Sequence, residues 1–294
     1  MAGGNIALLE DRGVVSVTGE DAIKLLQGLI TNDLDRLGTG GAALFAGLLS
    51  PQGKILFEFF AVRTVDGVLL ETARDRASDL VKRLMMYRLR AKATINDLSA
   101  GKSILAVWGG SAPAQPMALT FADPRKAGLG HRMIVARTMA GKLEHELMAA
   151  DAYHAHRIAL GVPEGGRDYP LGDTFPHEAN YDLIDGVSYT KGCYVGQELV
   201  ARMQNKAVVR KRVVQLASAT ALTPGAEVRA GEAVIGTVGS VAGNQALALI
   251  RLDRAVEAID KNQVVTAGGA PVTIDPHALQ RYRNQIVAAG AAAP

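Results

Sequence analysis

The last third of the chain is divided into short strand-like segments, and this feature restricts the fold more than any other. Beyond about Ala207, runs of β-branched and aliphatic residues are separated by Gly, Asn and Pro at close intervals. Such spacing is typical of a small all-β barrel or sandwich. We therefore predict a boundary near Asn205, a β-barrel over residues 206–284, and a flexible Ala-rich tail over residues 285–294.

Residues 1–205 alternate strand and helix signals instead. Strand patterns such as "AALFAGLLS" and "KILFEFFAV" flank a Pro-Gln-Gly turn signal and predict a hairpin. The segment "DRASDLVKRLMMYRLR" predicts a helix with Leu80, Leu84 and Tyr87 on one face. This order predicts an α+β region, in which helices pack on one side of an antiparallel sheet.

Composition excludes several classes of protein. The chain has 294 residues and is 48% hydrophobic, so it can bury a sizeable core, yet no stretch approaches the roughly 20 consecutive apolar residues of a membrane span. The first residues show neither a signal-peptide nor a transit-peptide pattern, and one cysteine is too few for a disulfide scaffold. We therefore expect a cytoplasmic protein without a membrane partner.

Basic residues concentrate in the segment "ARMQNKAVVRKR". It contains Arg202, Lys206, Arg210, Lys211 and Arg212. The segment is either an ordinary solvated face or a site for an anion, such as a carboxylated small molecule or an acidic partner. Nucleic acid is not expected, because aromatic residues make up only 5% of the chain and none lies in this segment to stack on bases.

Cys193 is the only cysteine, and it lies in "SYTKGCYVGQELVAR". The residues after it have the pattern of the first turns of a helix, and Lys191 is a nearby cation; both features favour a reactive thiolate. The alternative is a buried small apolar residue, which is a frequent role of free cysteine. The flanking glycines and the polar Gln197 and Glu198 favour an exposed loop.

A single thiol limits the chemistry that is available. A cysteine hydrolase needs an oriented histidine base, and His177 is not part of a nucleophile–base signature. A resident iron–sulfur cluster needs about four cysteines. Any cluster at Cys193 must therefore be transient or shared with another molecule, and we expect no resident metal site.

A second polar loop, "TFPHEANYDLIDG", precedes the cysteine segment. Two interpretations of its Glu178 and Asn180 stay open. They line the same cavity as Cys193, or they bond to the loop's own backbone, as polar residues often do in turns.

The segment "KGCYVGQELVAR" resembles the K-G-C-[FY]-x-G-Q-E signature of the YgfZ-type folate-binding proteins, relatives of the glycine-cleavage T-protein that assist iron–sulfur cluster assembly. Further segments are similar and stand in the family's order: "LLQGLITNDL", "LLSPQGKILFEFFAV", "DPRKAGLGHR", "RIALGVPEGGRDY" and "PHEANYDLIDGVSYT". The likeness runs from about Leu8 to Pro276. The continuation "VARMQNKAVVRKR" is most similar to the branch that includes the mitochondrial assembly factor, which indicates a bacterial, cytoplasmic counterpart.

The resemblance implies a T-protein-like multidomain fold, in which residues 1–205 form a folate-binding region of two interleaved subdomains. It also implies an accessory factor that binds tetrahydrofolate and assembles or repairs four-iron four-sulfur clusters in client enzymes, together with iron–sulfur carrier proteins. Cys193 and Lys191 would carry the chemistry, with Cys193 as a transient cluster ligand. The residues implied to bind folate are Glu178, Asn180, Tyr194, Gln197, Glu198, Arg202 and Arg132.

The chain departs from the T-protein pattern at two carboxylate positions. The T-protein has an Asp-Asp pair where this sequence has Phe57 and Glu58, and a Gly-Tyr-Glu where it has Arg132. The family's usual glycine after the signature is replaced by Ala207. We therefore favour a non-catalytic assembly factor. The rivals are a tetrahydrofolate-dependent aminomethyl- or methyltransferase, and a thiol redox or scaffold protein without folate.

Overall fold

The computed structural model describes residues 4–38, 42–114, 117–141, 147–206 and 208–291. The chain divides into two compact units, and neither is a single continuous segment. The first unit consists of Met1–Pro51, Ile55–Tyr153 and Leu183–Val195, and the second consists of Gln52–Lys54, His154–Asp182 and Gly196–Pro294. Within the described residues, no helix has both the length and the apolar character needed to cross a membrane.

The first unit contains two antiparallel sheets. Its strands are β1 (Asn5–Leu9), β2 (Arg12–Thr18), β3 (Ala43–Leu49), β4 (Ile55–Thr64), β5 (Gly67–Ala73), β6 (Thr94–Asp97), β7 (Lys102–Trp108), β8 (Leu119–Ala122) and β9 (His131–Ala136). Its helices are α1 (Ala22–Gln27), α2 (Ala77–Arg88) and α3 (Arg137–Ala140), while α4 (Ala150–Ala159) begins in this unit and continues in the second. The sheets have the strand orders β3-β4-β5-β2-β6 and β1-β7-β9-β8.

One face of the five-stranded sheet packs against α1 and α2. Successive side chains of a strand point to opposite faces, so Phe57 and Phe59 of β4 share this face. Leu26 of α1 and Leu80 and Leu84 of α2 are fully buried against it. Burying each such side chain stabilises the fold by roughly 1.5–3 kcal/mol, which explains why the apolar face of α2 was recognisable in the sequence.

The opposite face of this sheet meets the four-stranded sheet. The ring centroid of Phe60 on β4 lies 5.9 Å from that of Phe121 on β8. Arg132 of β9 forms an ion pair with Glu71 of β5. The first unit is therefore a sandwich of two sheets with charged side chains between them.

The second unit contains a closed six-stranded β-barrel. Its strands are β10 (Lys211–Ser218), β11 (Glu227–Ala230), β12 (Ala233–Ala242), β13 (Gln245–Arg251), β14 (Val265–Ala267) and β15 (Ala270–Ile274), in the order β10-β13-β12-β11-β14-β15. The barrel closes where Leu216 of β10 pairs with Ile274 of β15. A Cβ at Gly236 would lie 2.3 Å from the carbonyl oxygen of Leu249, so the close approach of β12 to β13 requires glycine there. The predicted C-terminal barrel is confirmed.

The helices of the second unit are α5 (Gln197–Lys206), α6 (Leu252–Asp260) and α7 (Pro276–Ala291). Helix α7 occupies most of residues 285–294, where the sequence had led us to expect a flexible tail; residues 292–294 lie outside the described part. The Asp275 carboxylate accepts hydrogen bonds from the backbone nitrogens of His277 and Ala278, and Pro276 stands at the first helical position. These are strong helix-start signals. The boundaries at residues 205 and 284 stay a prediction.

Candidate functional site

Cys193 lies in an exposed loop of the first unit. A Cβ at the preceding Gly192 would meet no atom within 4 Å, so the loop is open to solvent there. The exposure excludes the alternative of a buried apolar cysteine. In the described part of the chain, no group of three or more His, Cys, Asp or Glu side chains is placed to hold a metal ion.

The segment before Cys193 is bonded to the turn that follows α1. Thr31 Oγ1 donates to the carbonyl oxygen of Gly186 at 2.6 Å, and the Ser188 nitrogen donates to the Thr31 carbonyl at 3.0 Å. Asn32 Nδ2 donates to the carbonyl oxygen of Asp185 at 2.6 Å. Asp185 has φ 51°, a left-handed conformation that Asp and Asn adopt more readily than other non-glycine residues. These bonds fix the course of the chain from Asp185 to Ser188.

Thr31 and Asn32 are themselves fixed against β3. Thr31 Oγ1 accepts from the Gly47 nitrogen at 2.8 Å, and Asn32 Nδ2 also donates to the Phe45 carbonyl at 2.9 Å. Both residues are fully buried. Neither residue was among the expected site residues, although a polar Thr-Asn pair directly after an apolar run is a sequence signal for a buried polar anchor.

Lys191 turns its ammonium group into the protein. Its Nζ donates to the carbonyl oxygens of Ile30 at 2.8 Å and Asn32 at 2.7 Å. The same atom lies 5.2 Å from the centre of the Tyr194 ring. The role suggested by the sequence, in which Lys191 promotes the thiolate of Cys193, stays a prediction that these contacts do not support.

Burial shifts the pKa values of two residues near the thiol in sequence, Lys191 and Tyr194. Burial lowers the pKa of Lys191 to about 8, and the nearby carboxylates of Asp33 and Asp35 act in the opposite direction. Burial raises the pKa of the Tyr194 phenol to about 12. Tyr194 is therefore neutral near neutral pH, and it contributes a buried ring rather than a charge.

Three of the residues implied to bind folate lie on α5 in the second unit: Gln197 is half-buried, while Glu198 and Arg202 are exposed. Glu198 stands in the first turn, where a helix dipole favours negative charge. Their folate-binding role stays a prediction. The side chain of Lys206 and the whole of Ala207 lie outside the described residues.

The basic segment is not one solvated face. Arg210 is exposed, but Arg212 is buried. The Arg212 guanidinium forms two hydrogen bonds with the Asp182 carboxylate, at 2.8 and 2.9 Å, and donates to Asn180 Oδ1 at 3.1 Å. Because the Arg212 guanidinium is already bonded to Asp182 and Asn180, an anion site in this segment would depend on the exposed arginines.

Glu178 and Asn180 hold their own loop in shape. Glu178 Oε2 accepts from the Phe175 nitrogen at 2.8 Å. Asn180 is buried, adopts φ 64° and donates from Nδ2 to the Val213 carbonyl at 2.9 Å. Of the two interpretations left open by the sequence, these contacts support bonding to the loop's backbone and to β10. A role of the same side chains in a cavity stays a prediction.

Arg132 is buried between the two sheets of the first unit, at 2% exposure. It donates to Glu71 Oε1 at 2.7 Å and to the Tyr153 hydroxyl at 2.8 Å, and its guanidinium lies 4.5 Å from the centre of the Phe60 ring. Burial acts to lower the pKa of Arg132, but Glu71, followed by Tyr153 and Asp123, more than offsets burial, so the pKa of Arg132 is raised. Its charge is satisfied inside the protein.

Further charged residues, which were not among the expected site residues, surround Arg132. Arg12 Nε donates to Glu71 Oε1 at 2.8 Å, and Arg125 pairs with Asp123 at 2.8 Å. Burial would raise the pKa of Asp123, but Arg125 and Arg132 outweigh it and lower that pKa. The available signal was a charged residue within an apolar strand pattern, as in "RGVVSV" and "VLLETA".

Buried charges also cluster around Arg157 in the second unit. Arg157 of α4 has no exposed surface, and it bonds to Asp168 Oδ2 and to Ser240 Oγ, both at 2.6 Å. Its Nε also lies 3.3 Å from the Glu164 carboxylate. These bonds join α4 and the following loop to β12, so we assign this cluster to stability.

Relatives and matching families bear on both halves of the chain. Residues 210–280 match the family described as CAF17, C-terminal beta-barrel domain. The iron-sulfur cluster assembly factor IBA57 homolog, mitochondrial, of Mycosarcoma maydis is 36% identical, and the match covers 74% of this chain and 58% of that protein. The iron-sulfur cluster assembly factor IBA57, mitochondrial, of Homo sapiens is 33% identical, and the match covers 90% of this chain and 83% of that protein. The chain thus spans little more than half the length of the fungal relative.

The fold has a solved counterpart. The glycine cleavage system aminomethyltransferase T from Bartonella henselae superposes with a TM-score of 0.73 at 17% identity, covering 93% of this chain and 85% of that one. At this identity the likeness concerns the fold alone. The T-protein-like fold expected from the sequence, with its mixed α and β structure, is confirmed.

One expectation is overturned by these relatives. The sequence had suggested a bacterial, cytoplasmic protein, whereas the fungal and human relatives, and a Mus musculus relative at 33% identity, are all named as mitochondrial. The expected location is therefore wrong. The physical reason is that amino-acid composition does not determine the compartment in which a protein works.

Proposed function

Because the chain belongs to the IBA57 family of iron–sulfur cluster assembly factors, we propose that it takes part in iron–sulfur cluster assembly and that Cys193 is its cluster ligand. The observation that carries the proposal is an exposed thiol, the only one in the sequence, at the tip of a loop whose approach is fixed by buried polar groups. Thiolates are the preferred protein ligands of iron–sulfur clusters. A fixed, exposed thiol suits brief ligation of a cluster that another molecule carries.

The ligation step is an exchange of ligands without a change of oxidation state. The sulfur of Cys193 forms a bond to one iron of the cluster, one ligand of the donor leaves that iron, and the thiol proton passes to solvent. The cluster is cargo in this scheme and not a resident group. Since one cysteine supplies about a quarter of the ligands that a cluster needs, the remaining ligands come from a carrier or client protein.

The proposal includes four-iron four-sulfur client enzymes and iron–sulfur carrier proteins as partners. It is favoured over a transferase because the strand positions that carry two aspartates in the T-protein are buried here. Phe57 is 5% exposed and packs in the core against the helices, and Glu58 is 4% exposed. A carboxylate buried in this way is not presented to a folate adduct. A thiol scaffold without folate stays the second alternative. The relation to YgfZ-type folate-binding proteins, expected from the sequence, is part of the folate-binding proposal below.

We expect the chain alone to hold no stable cluster. After anaerobic reconstitution with ferrous iron and sulfide and then desalting, the visible absorption of a cluster should be absent, because a single thiolate cannot complete the coordination of each iron. Mixed with a cluster-loaded monothiol carrier, the wild-type chain should co-elute with the cluster and the carrier in size-exclusion chromatography. A cluster that survives desalting on the chain alone would contradict the proposal, and Cys193→Ser is the control for ligation through this sulfur.

Tetrahydrofolate binding is a separate proposal, supported by the likeness of the fold to an aminomethyltransferase. Several implied ligands do not fit it. Arg132 and Asn180 are buried and bonded to protein groups, and the Glu178 carboxylate accepts a backbone hydrogen bond. Polar groups that already have partners lose those bonds when they turn to a ligand, at about 1–3 kcal/mol for each group left unsatisfied. Any folate contacts would therefore come from other residues, and no step is assigned to the folate.

Isothermal titration with tetrahydrofolate under anaerobic conditions tests this second proposal. If folate binds through exposed groups, we expect saturable heats with the wild-type chain and a weaker affinity for Arg202→Met, which removes an exposed cation on α5. Arg90→Met removes an exposed cation elsewhere and serves as the matched control. Absence of saturable heat would remove folate from the function and leave the role of Cys193 untouched.

A further inference from the structure

We infer that Lys191 is a positioning residue, whose ammonium ties the loop to the turn at Ile30–Asn32 and thereby sets where the Cys193 thiol stands. This inference rests on the proposed function, because it concerns the presentation of the same sulfur. It gives Lys191 a mechanical role in place of the electrostatic one suggested by the sequence.

The Lys191 ammonium is bonded to backbone oxygens of the protein. An ammonium has three N–H donors and no acceptor. Two of these donors are used by the carbonyl oxygens of Ile30 and Asn32, at 2.8 and 2.7 Å, and the group faces the Tyr194 ring. Hydrogen bonds from a charged donor are roughly twice as strong as those between neutral groups. The side chain therefore bonds the loop to the backbone of Ile30 and Asn32.

The backbone of Ile30 and Asn32, to which the ammonium is bonded, is itself held in place. Ile30 and Asn32 have no exposed surface. The Ile30 nitrogen donates to the Leu26 carbonyl at 3.0 Å, and the Asn32 side chain bridges to the Phe45 carbonyl on β3 at 2.9 Å. A loop that is bonded to this turn is therefore held in a fixed position relative to the five-stranded sheet.

Lys191 belongs to a series of residues whose hydrogen bonds join the loop to the turn that follows α1. Going along the chain, Asp185, Gly186 and Ser188 are each bonded to Thr31 or Asn32, and the Lys191 nitrogen donates to Ser188 Oγ at 3.2 Å. The Lys191 ammonium is the last of these ties before the thiol. Gly192, which follows it, has open space around its Cα and offers no side chain to hold the tip.

The two roles of Lys191 predict opposite effects of removing its charge. If the ammonium promotes the thiolate, Lys191→Met slows alkylation of Cys193. If the ammonium ties the loop, Lys191→Met leaves alkylation as fast as before or faster, and it increases the motion of the tip. Lys191→Arg keeps a charged donor and should restore the wild-type behaviour in either case, while Lys191→Gln keeps only an uncharged donor and should lie between.

The single cysteine allows a direct test in the full chain. A nitroxide attached to Cys193 reports the mobility of the tip by electron paramagnetic resonance, and the rate of reaction with iodoacetamide is measured at one fixed pH on the unlabelled variants. We expect the mobile spectral component to grow in the order wild type and Lys191→Arg, then Lys191→Gln, then Lys191→Met. The surface change Lys82→Met is the matched control and should leave the spectrum unchanged, since Lys82 is 75% exposed.

The inference is overturned if Lys191→Met alkylates more slowly while its nitroxide spectrum equals that of the wild type. It is also overturned if all variants share one spectrum. Should Lys191→Met fail to fold, the comparison of Lys191→Gln with Lys191→Arg carries the same test. Failure of the proposed function is a different result, because the wild-type chain would then not share a cluster with the carrier, whatever the mobility of its loop.

Discussion

Cys193→Ser is expected to abolish the support that this chain gives to iron–sulfur enzymes. If the proposed function holds, expression of the wild-type chain in cells that lack their own copy of the gene should restore aconitase activity. Expression of Cys193→Ser should leave that activity at the level of cells without the chain. The physical reason is the loss of the only thiolate, since a serine hydroxyl is a much poorer ligand of the soft iron–sulfur core. Aconitase activity is measured in extracts, and the amount of aconitase polypeptide is measured by immunoblot and should not change.

The matched control is Thr190→Ser, which changes an exposed position of the same loop and keeps the hydroxyl that bonds to Ser188 Oγ. A surface substitution of this kind changes stability by about 0.5 kcal/mol or less, so full restoration of aconitase is expected. The proposal fails if Cys193→Ser restores the activity as completely as the control does. An outcome in which both variants fail, with both chains folded by circular dichroism, would place the function in the loop as a whole rather than in the sulfur.

Arg132→Met is expected to destabilise the protein by about 3–5 kcal/mol, the usual effect of removing one partner from a buried ion pair. The change leaves Glu71 without one of its cations. It also removes the hydrogen bond that Arg132 donates to the Tyr153 hydroxyl at 2.8 Å, so that the hydroxyl keeps the longer bond from Arg125 at 3.3 Å. The melting temperature should fall by on the order of 10 °C. Thermal unfolding followed by circular dichroism measures the effect.

Two comparisons make this prediction specific. Arg90→Met removes an exposed arginine and should change the melting temperature little. Arg132→Lys keeps the charge but loses the planar fork that reaches Glu71 and Tyr153 together, so most of the loss should persist. A wild-type melting temperature in Arg132→Met, with tetrahydrofolate binding lost, would instead identify a ligand site at this position.

Local patterns made much of the fold predictable. The barrel was recognisable because each of its strands is short and ends at a Gly, Asn or Pro turn, so the signal lies within a few neighbouring residues. The buried face of α2 followed from the spacing of Leu80 and Leu84 for the same reason. Helix α7 differs from the flexible tail that was expected. Its start at Asp275 and Pro276 is a local signal, but the Ala-rich end of the chain is also typical of a frayed terminus.

The site was less predictable, because its contacts join distant positions. The exposure of Cys193 followed from its glycine neighbours. The partners of Lys191 are carbonyls about 160 positions earlier, and backbone acceptors leave no mark in a sequence. The ion pair of Arg132 with Glu71 depends on how the two sheets pack against each other, and residue order does not reveal that packing. The sequence therefore suggested a ligand, not Glu71, as the partner of Arg132. Long-range pairing of charges is thus the part that sequence reasoning could not supply.

The discontinuity of the first unit has a consequence for the order in which the protein is made. The chain leaves this unit after Pro51, Tyr153 and Val195, and re-enters it at Ile55 and Leu183. During synthesis the segment Leu183–Val195 emerges last, when the sheets that it joins are already complete in sequence and able to fold. The only thiol in the sequence therefore leaves the ribosome after Thr31 and Asn32, the residues to which its loop is bonded.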